Sequence, residues 1–239
     1  MIEACIFDWG GTLVPWAAID QLPAWRAYAD AVHLDDPDAA ARLAAALRAA
    51  EVNRWAEVRE TSRAFRLDQV IADAAQALNV PELPWSAETQ AVYRGALIAV
   101  THAREEVAPM LARLRSRGIA LGVLSSTSWP GQWHEEYLAR DGLLELFDAC
   151  VWSSDLTWTK PHPDAFAAAM SALGVSDPAR CVYVGDRRYD DVFGAAGVGM
   201  RTVFLPHSNP PPEQLVHTDV EPDVVLDSLT DLPAVLEGW

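Results

Sequence analysis

The chain has 239 residues, 51% of them hydrophobic and 22% charged, with a formal net charge of −16. That length allows a large core in one or two domains, and the acidic balance argues against nucleic acid and anionic membranes as partners. An anionic ligand is repelled at long range, so a site for one must build its positive field locally.

The first strand is expected at once. Ile2, Ala4, Cys5, Ile6 and Phe7 run apolar into Asp8, and Gly10, Gly11 and Thr12 follow. A carboxylate where a buried strand opens into a glycine-rich loop suits a nucleophile or a metal ligand. Residues 15–96 then change character: they are rich in Ala, Leu, Arg and Glu, lack any strand-like run, and break at "HLDDPD" (33–38) and "NVPELPW" (79–85). They read as an all-helical insertion after the first strand, a second small domain facing the same loops, leaving residues 1–14 and 97–239 as the core. In "REEVAPMLARLRSRG", Val107, Met110, Leu111 and Leu114 fall on one helical face and Gly118 marks the stop.

Apolar runs recur beyond that point as "IALGVLSS" (119–126), "FDACVWSS" (147–154), "CVYVGD" (181–186), "RTVFLP" (201–206) and "PDVVLD" (222–227). A helix opening at Pro163 and closing at Gly174 precedes the "CVYVGD" run. Strands apolar throughout and separated by helices imply a Rossmann-like α/β core with a parallel sheet covered on both faces. Ligands of such sheets bind at the carboxyl ends of the strands. "NPPP" (209–212) reads as a stiff surface loop. Cys5, Cys150 and Cys181 lie in apolar runs without ligand spacing, as expected of core residues in a reducing cytoplasm. No signal-like segment or membrane-length apolar run is seen.

The strand ends gather polar groups. Asp8 follows the first strand, Ser125 and Ser126 close the second, Thr159 and Lys160 lie beyond the third, and Asp186 ends the fourth with Asp190 and Asp191 just after. Lys160 stands out: the chain carries 17 arginines and this one lysine, as expected where a guanidinium cannot replace an ammonium. Carboxylates, a hydroxyl and an ammonium at one sheet edge suit a hard divalent cation and a phosphoryl group.

"FDWGGTL", "GVLSS", "TKPHPDAF" and "VGDRRYDDVFGA" resemble, in order, the four motifs of the haloacid dehalogenase superfamily, over residues 1–14 and about 97–206. The helical stretch falls where that family inserts its cap. The resemblance implies that Asp8 is a nucleophile forming an aspartyl-phosphate, and that Ser125 bonds the phosphoryl group, with Ser126 and Gly11 beside it. It implies that Lys160 neutralises nucleophile and phosphate. Mg2+ would be held by Asp8, the Gly10 carbonyl, Asp186 and Asp191, the last favoured over Asp190 by the "DVFGA" that follows it. Thr12 would close the nucleophile loop. The expected substrate is a small phosphorylated metabolite; the oligomeric state is not legible.

Gly10 departs from the family pattern. Phosphatases of the family carry there an aspartate that protonates the leaving oxygen, assistance typically worth about 10²–10⁴ in rate. Phosphonate cleavage through a Schiff base fails, because residues 15–96 contain no lysine. Three readings remain: a magnesium-dependent phosphatase acting on good leaving groups, a metal-independent 2-haloacid dehalogenase, and a weakly active phosphate-binding or regulatory protein. His134 and His162 are candidate substitutes for the missing acid. Trp9, Trp16, Trp55, Trp129, Trp133 and Trp158 are candidate pocket walls, and Arg54 and Arg59 candidate contacts for a substrate anion.

Overall fold

The computed structural model describes residues 1–15, 21–206 and 216–239. Trp16 and the "NPPP" stretch lie outside the described residues. The six strands of the sheet are β1 (Ala4–Phe7), β2 (Ala120–Ser125), β3 (Ala149–Trp152), β4 (Cys181–Gly185), β5 (Arg201–Phe204) and β6 (Val224–Val225). Their order is β3-β2-β1-β4-β5-β6, and every neighbouring pair is parallel. β1 is central, so Asp8 leaves the sheet between β2 and β4, the position from which the ends of both neighbours are within reach.

Alternation along β1 divides the core. Cys5 and Phe7 pack on one face with Val123, Val182 and Val184, while Ala4 and Ile6 pack on the other with Leu124, Phe166 and Tyr183. All four β1 side chains are fully buried, which explains why this strand reads as a continuous apolar run. α5 (Val107–Arg115) buries the stripe anticipated from its spacing: Val107, Met110, Leu111 and Leu114. α6 (Gly131–Arg140) and α7 (Pro163–Ala172) follow β2 and β3 as crossover helices.

Between β1 and β2 the described residues form helices and no sheet strand: α1 (Leu22–Val32), α2 (Pro37–Thr61), α3 (Leu67–Ala77) and α4 (Ala87–Gly95). α2 starts sharply, with Pro37 in its first turn and the Asp36 carboxylate accepting from the Ala39 N–H at 2.9 Å. Its buried positions include Ala40, Leu43, Ala44 and Leu47, a helical stripe against the neighbouring helices. The break at 79–85 falls between α3 and α4 as expected, and that at 33–38 spans the junction of α1 and α2, its last two residues opening α2. A third break, after Thr61, has no proline or glycine to announce it. There Ser62 adopts φ 56° and ends α2 in a left-handed turn.

That turn leads into backbone pairing with the core. The Thr159 N–H donates to the Ser62 carbonyl at 2.9 Å, the Ala64 N–H to Thr157 at 3.0 Å, and the Leu67 N–H to Ser128 at 3.1 Å. The C-terminal end of α2 is thereby tied to the loop that carries Lys160. Among the described residues, no helix is long and apolar enough to cross a membrane.

Candidate active site

Asp8 sits one residue beyond β1, and its N–H is held by the Val184 carbonyl of β4 at 2.9 Å. The residue is 5% exposed. Lys160 arrives from the loop after β3 and places its Nζ 2.8 Å from Asp8 Oδ1, 2.6 Å from Asp191 Oδ1 and 2.7 Å from Tyr183 Oη. Burial opposes the charge on this ammonium, but Asp191 and Asp8 outweigh that and hold its pKa well above the usual lysine value. Lys160 is therefore a cation fixed by three acceptors, a geometry that lone-lysine usage foreshadowed.

Tyr183 was hidden in the sequence. It lies mid-strand in β4 and reads as core, yet its hydroxyl accepts from Lys160 and donates to the Leu124 carbonyl of β2 at 2.7 Å. The tyrosine thus anchors the ammonium to the main chain of the neighbouring strand. Burial raises the phenol well above its ordinary pKa, so it stays a neutral donor.

Asp8, Asp186 and Asp191 each present a carboxylate oxygen within 4.8 Å of the other two, and all three are buried. Asp186 ends β4, and Thr12 directs its hydroxyl towards Asp186 Oδ1 at 3.4 Å. Asp191 is oriented by the Arg187 N–H, which donates to Oδ2 at 2.9 Å. Two glycines make space for these acids. A Cβ on Gly11, whose φ is +90°, would stand 2.4 Å from Asp186 Oδ2, and one on Gly185 would stand 2.3 Å from Asp191 Oδ2. Three hard oxygen donors packed this closely, with one ammonium beside them, fit a cation such as magnesium. Asp190 lies outside this cluster, with its Oδ2 3.5 Å from Arg187 Nη1.

A cavity of about 130 Å³ opens over Asp8 and is lined by Gly10, Ser125, Ser126 and Lys160 among the expected site residues. Ser126 accepts the Thr159 hydroxyl at 2.7 Å, coupling the second and third strand ends. Gly11 does not line this cavity. Its N–H is spent on the Val14 carbonyl at 2.9 Å and its open face is filled by Asp186, so it shapes the loop instead of contacting a phosphate.

The aromatic and basic candidates divide cleanly. Trp9, Trp55 and Trp129 line the cavity, with Arg59 and Arg187. Trp133 packs instead between Trp129 and Tyr93, and Trp158 stacks on His162 with ring centroids 4.3 Å apart. His162 caps α7, its Nδ1 accepting from the Asp164 N–H. Arg54 is bound by Asp73 at 2.6 and 2.9 Å. His134 does reach the cavity wall, stacked between Trp129 and Trp152 and 1% exposed. Its Nε2 lies 2.9 Å from Thr127 Oγ1, and its Nδ1 has no hydrogen-bond partner among the described residues. Burial drives this imidazole down to about 3, only partly opposed by Asp8, so it is neutral at physiological pH.

Comparison with known proteins fits this arrangement. A glyceraldehyde 3-phosphate phosphatase of Methanopyrus kandleri is 33% identical over 152 residues, 64% of each chain. The chain thus spans less than two thirds of that relative's length. Hexitol phosphatase B of Escherichia coli is 29% identical over 98% of this chain and 95% of its own. A 2-haloacid dehalogenase structure from Pseudomonas syringae superposes with a TM-score of 0.66 over the whole of both chains at 24% identity, a likeness of fold. The family model for haloacid dehalogenase-like hydrolases matches residues 2–199. The chain belongs to the haloacid dehalogenase-like hydrolase family.

Proposed function

We propose that the protein is a magnesium-dependent phosphatase working through an aspartyl-phosphate on Asp8, with a small phosphorylated metabolite as substrate. The observation that carries this reading is the single ammonium of Lys160 shared between Asp8 and Asp191, inside a buried cluster completed by Asp186. Relatives named as phosphatases support it. Asp8, Asp186, Asp191 and the Gly10 carbonyl would hold magnesium, whose charge would neutralise the phosphoryl oxygens beside a carboxylate nucleophile.

The remaining chemistry belongs to the chain. Lys160 bonds Asp8 Oδ1 and fixes the rotation of the carboxylate, while the Ser125 and Ser126 hydroxyls face the phosphoryl group. An Asp8 oxygen attacks phosphorus, and the bond to the leaving oxygen breaks. That oxygen keeps the electron pair and takes its proton from water, because residue 10 has no side chain to give one. Water then attacks phosphorus, releasing inorganic phosphate and restoring Asp8. The stretch 15–96 would act as a cap, with Trp55, Val58 and Arg59 of α2 already forming one wall of the cavity. The free cysteines suit a reducing compartment such as the cytoplasm.

A second reading rests on Gly10. Halide leaves without a proton, so a dehalogenase would not need an acid there. The cluster of Asp186 and Asp191 weighs against it, because with Asp8 they set three carboxylates against the one ammonium of Lys160, and the excess charge would repel an anionic substrate unless a metal cation balanced it. The test is initial-rate hydrolysis of an aryl phosphate, and halide release from 2-chloropropionate, each with and without magnesium. The phosphatase reading expects magnesium-dependent phosphate release and no halide. Metal-independent halide release alone would establish the other, and turnover of neither would favour a phosphate-binding role.

A further inference from the structure

The cavity has a floor where phosphate chemistry is supported and a wall whose composition that chemistry does not require. Trp55, Val58 and Arg59 occupy positions i, i+3 and i+4 of α2 and share one helical face towards the cavity. Trp9 and Trp129 add indole surface, their ring centroids 6.3 Å apart at 66°. This face is not loosely placed. Three residues beyond Arg59, Ser62 is bonded to Thr159, the neighbour of Lys160, so backbone hydrogen bonds link the Arg59 end of α2 to the phosphate end of the site.

Arg59 stands out by its position, exposed at the wall of the cavity. The chain has 34 acidic residues against 18 lysines and arginines, and several nearby arginines are drawn into pairs, Arg48 with Glu51, Arg54 with Asp73 and Glu57, and Arg66 with Asp68, while Arg63 lies over the Trp158 ring. Arg187, on the same cavity wall, is engaged by Asp190. Among the described residues Arg59 has no carboxylate within ion-pair distance. An exposed guanidinium at a cavity rim, without an ion pair among the described residues, is available for an anion brought by the ligand, and its planar fork suits a carboxylate.

We propose, building on the phosphatase reading, that the substrate is an aryl phosphate bearing a carboxylate at its far end: phosphate at Asp8 and Lys160, ring between Trp9, Trp55 and Trp129, carboxylate on Arg59. Gly10 agrees with this independently, since an aryl oxygen departs without the proton that an alkyl oxygen requires. A second phosphate in place of the carboxylate would carry more charge into a strongly negative protein and be disfavoured on approach.

Phosphonates test this without turnover, because their carbon–phosphorus bond is not cleaved. Calorimetric affinities of 4-carboxybenzylphosphonate, its neutral isostere 4-carbamoylbenzylphosphonate and ethylphosphonate would be measured on the full chain with magnesium. The wild type should bind the carboxylate about fivefold more tightly than the carboxamide, the scale of an exposed ion pair. That ratio should fall to about one in Arg59→Gln and be partly restored in Arg59→Lys. Trp55→Ala should weaken both aryl compounds and leave their ratio unchanged. Equal affinity for carboxylate and carboxamide in the wild type, a preference surviving Arg59→Gln, or benzyl compounds binding no better than ethylphosphonate would each overturn the proposal. Absent hydrolysis of aryl phosphates would instead strike the phosphatase reading, leaving the Arg59-dependent preference separately readable.

Discussion

Gly10→Asp is the substitution that asks most of the mechanism. The backbone permits it: positive φ in this loop belongs to Gly11 at 90°, and Gly10 is not among the residues in that region. The magnitude follows from what the cavity offers in its place. His134 is the one imidazole on the described cavity wall, and its pKa is depressed to about 3 by burial. At pH 7, four units higher, about one molecule in 10⁴ carries the proton, which offsets the whole gain of about 10²–10⁴ that a positioned acid provides. His134 is thus no substitute in the free enzyme. The wild-type kcat/KM should fall steeply as the leaving group becomes more basic. Gly10→Asp should raise alkyl phosphate hydrolysis by about tenfold or more while changing aryl phosphates little. The assay is a series of aryl and alkyl phosphates at saturating magnesium, with circular dichroism to verify folding of the variant. A flat wild-type series, with no selective gain in Gly10→Asp, would refute the reasoning and show that another group already delivers the proton.

Tyr183→Phe removes the acceptor that anchors Lys160 and the donor to Leu124. It should cost about 1–3 kcal/mol in stability, as expected for unpairing buried polar groups, and lower kcat more than it raises KM; unchanged kcat would reduce Tyr183 to packing. His134 makes stability acid-sensitive. The unfolded imidazole takes a proton below its ordinary pKa of about 6.5, whereas the folded one resists protonation down to about 3. Stability from this group is therefore complete above pH 6.5 and is lost as pH falls towards 3, by at most about 1.4 kcal/mol per unit. Urea unfolding of wild type and His134→Phe at pH 5 and 7 measures it, and an equal pH dependence in the two proteins would count against it.

The parallel sheet and the meeting of Asp8, Lys160, Asp186 and Asp191 were legible because each follows an apolar run, at its end or in the loop beyond, and parallel topology sends those ends to one edge; the order of the strands was not. What the sequence hid depends on direction, not type. Tyr183 looked like another apolar strand residue, since nothing in "CVYVGD" reveals that its hydroxyl spans to β2. Arg54 and Arg59 looked equivalent on one helix, and only the three-dimensional position of Asp73 separates them. His162 and Trp158 were candidates near Lys160, but neither lines the cavity: His162 caps α7 and Trp158 stacks on the His162 ring. The end of α2 at Thr61 was invisible because Ser62 takes a left-handed turn that glycine usually marks.

The central claim is covalent chemistry on Asp8, and rapid acid quenching tests it most directly. The enzyme would be mixed with an aryl phosphate and magnesium, quenched within the first turnover, digested and analysed by mass spectrometry. Without a base at residue 10 the acyl-phosphate should hydrolyse slowly and accumulate. The account predicts a phosphoryl group on the peptide containing Asp8, lost on treatment with hydroxylamine and absent in Asp8→Asn. Full turnover by an Asp8→Asn protein, or a phosphoryl group found on another residue, would contradict it.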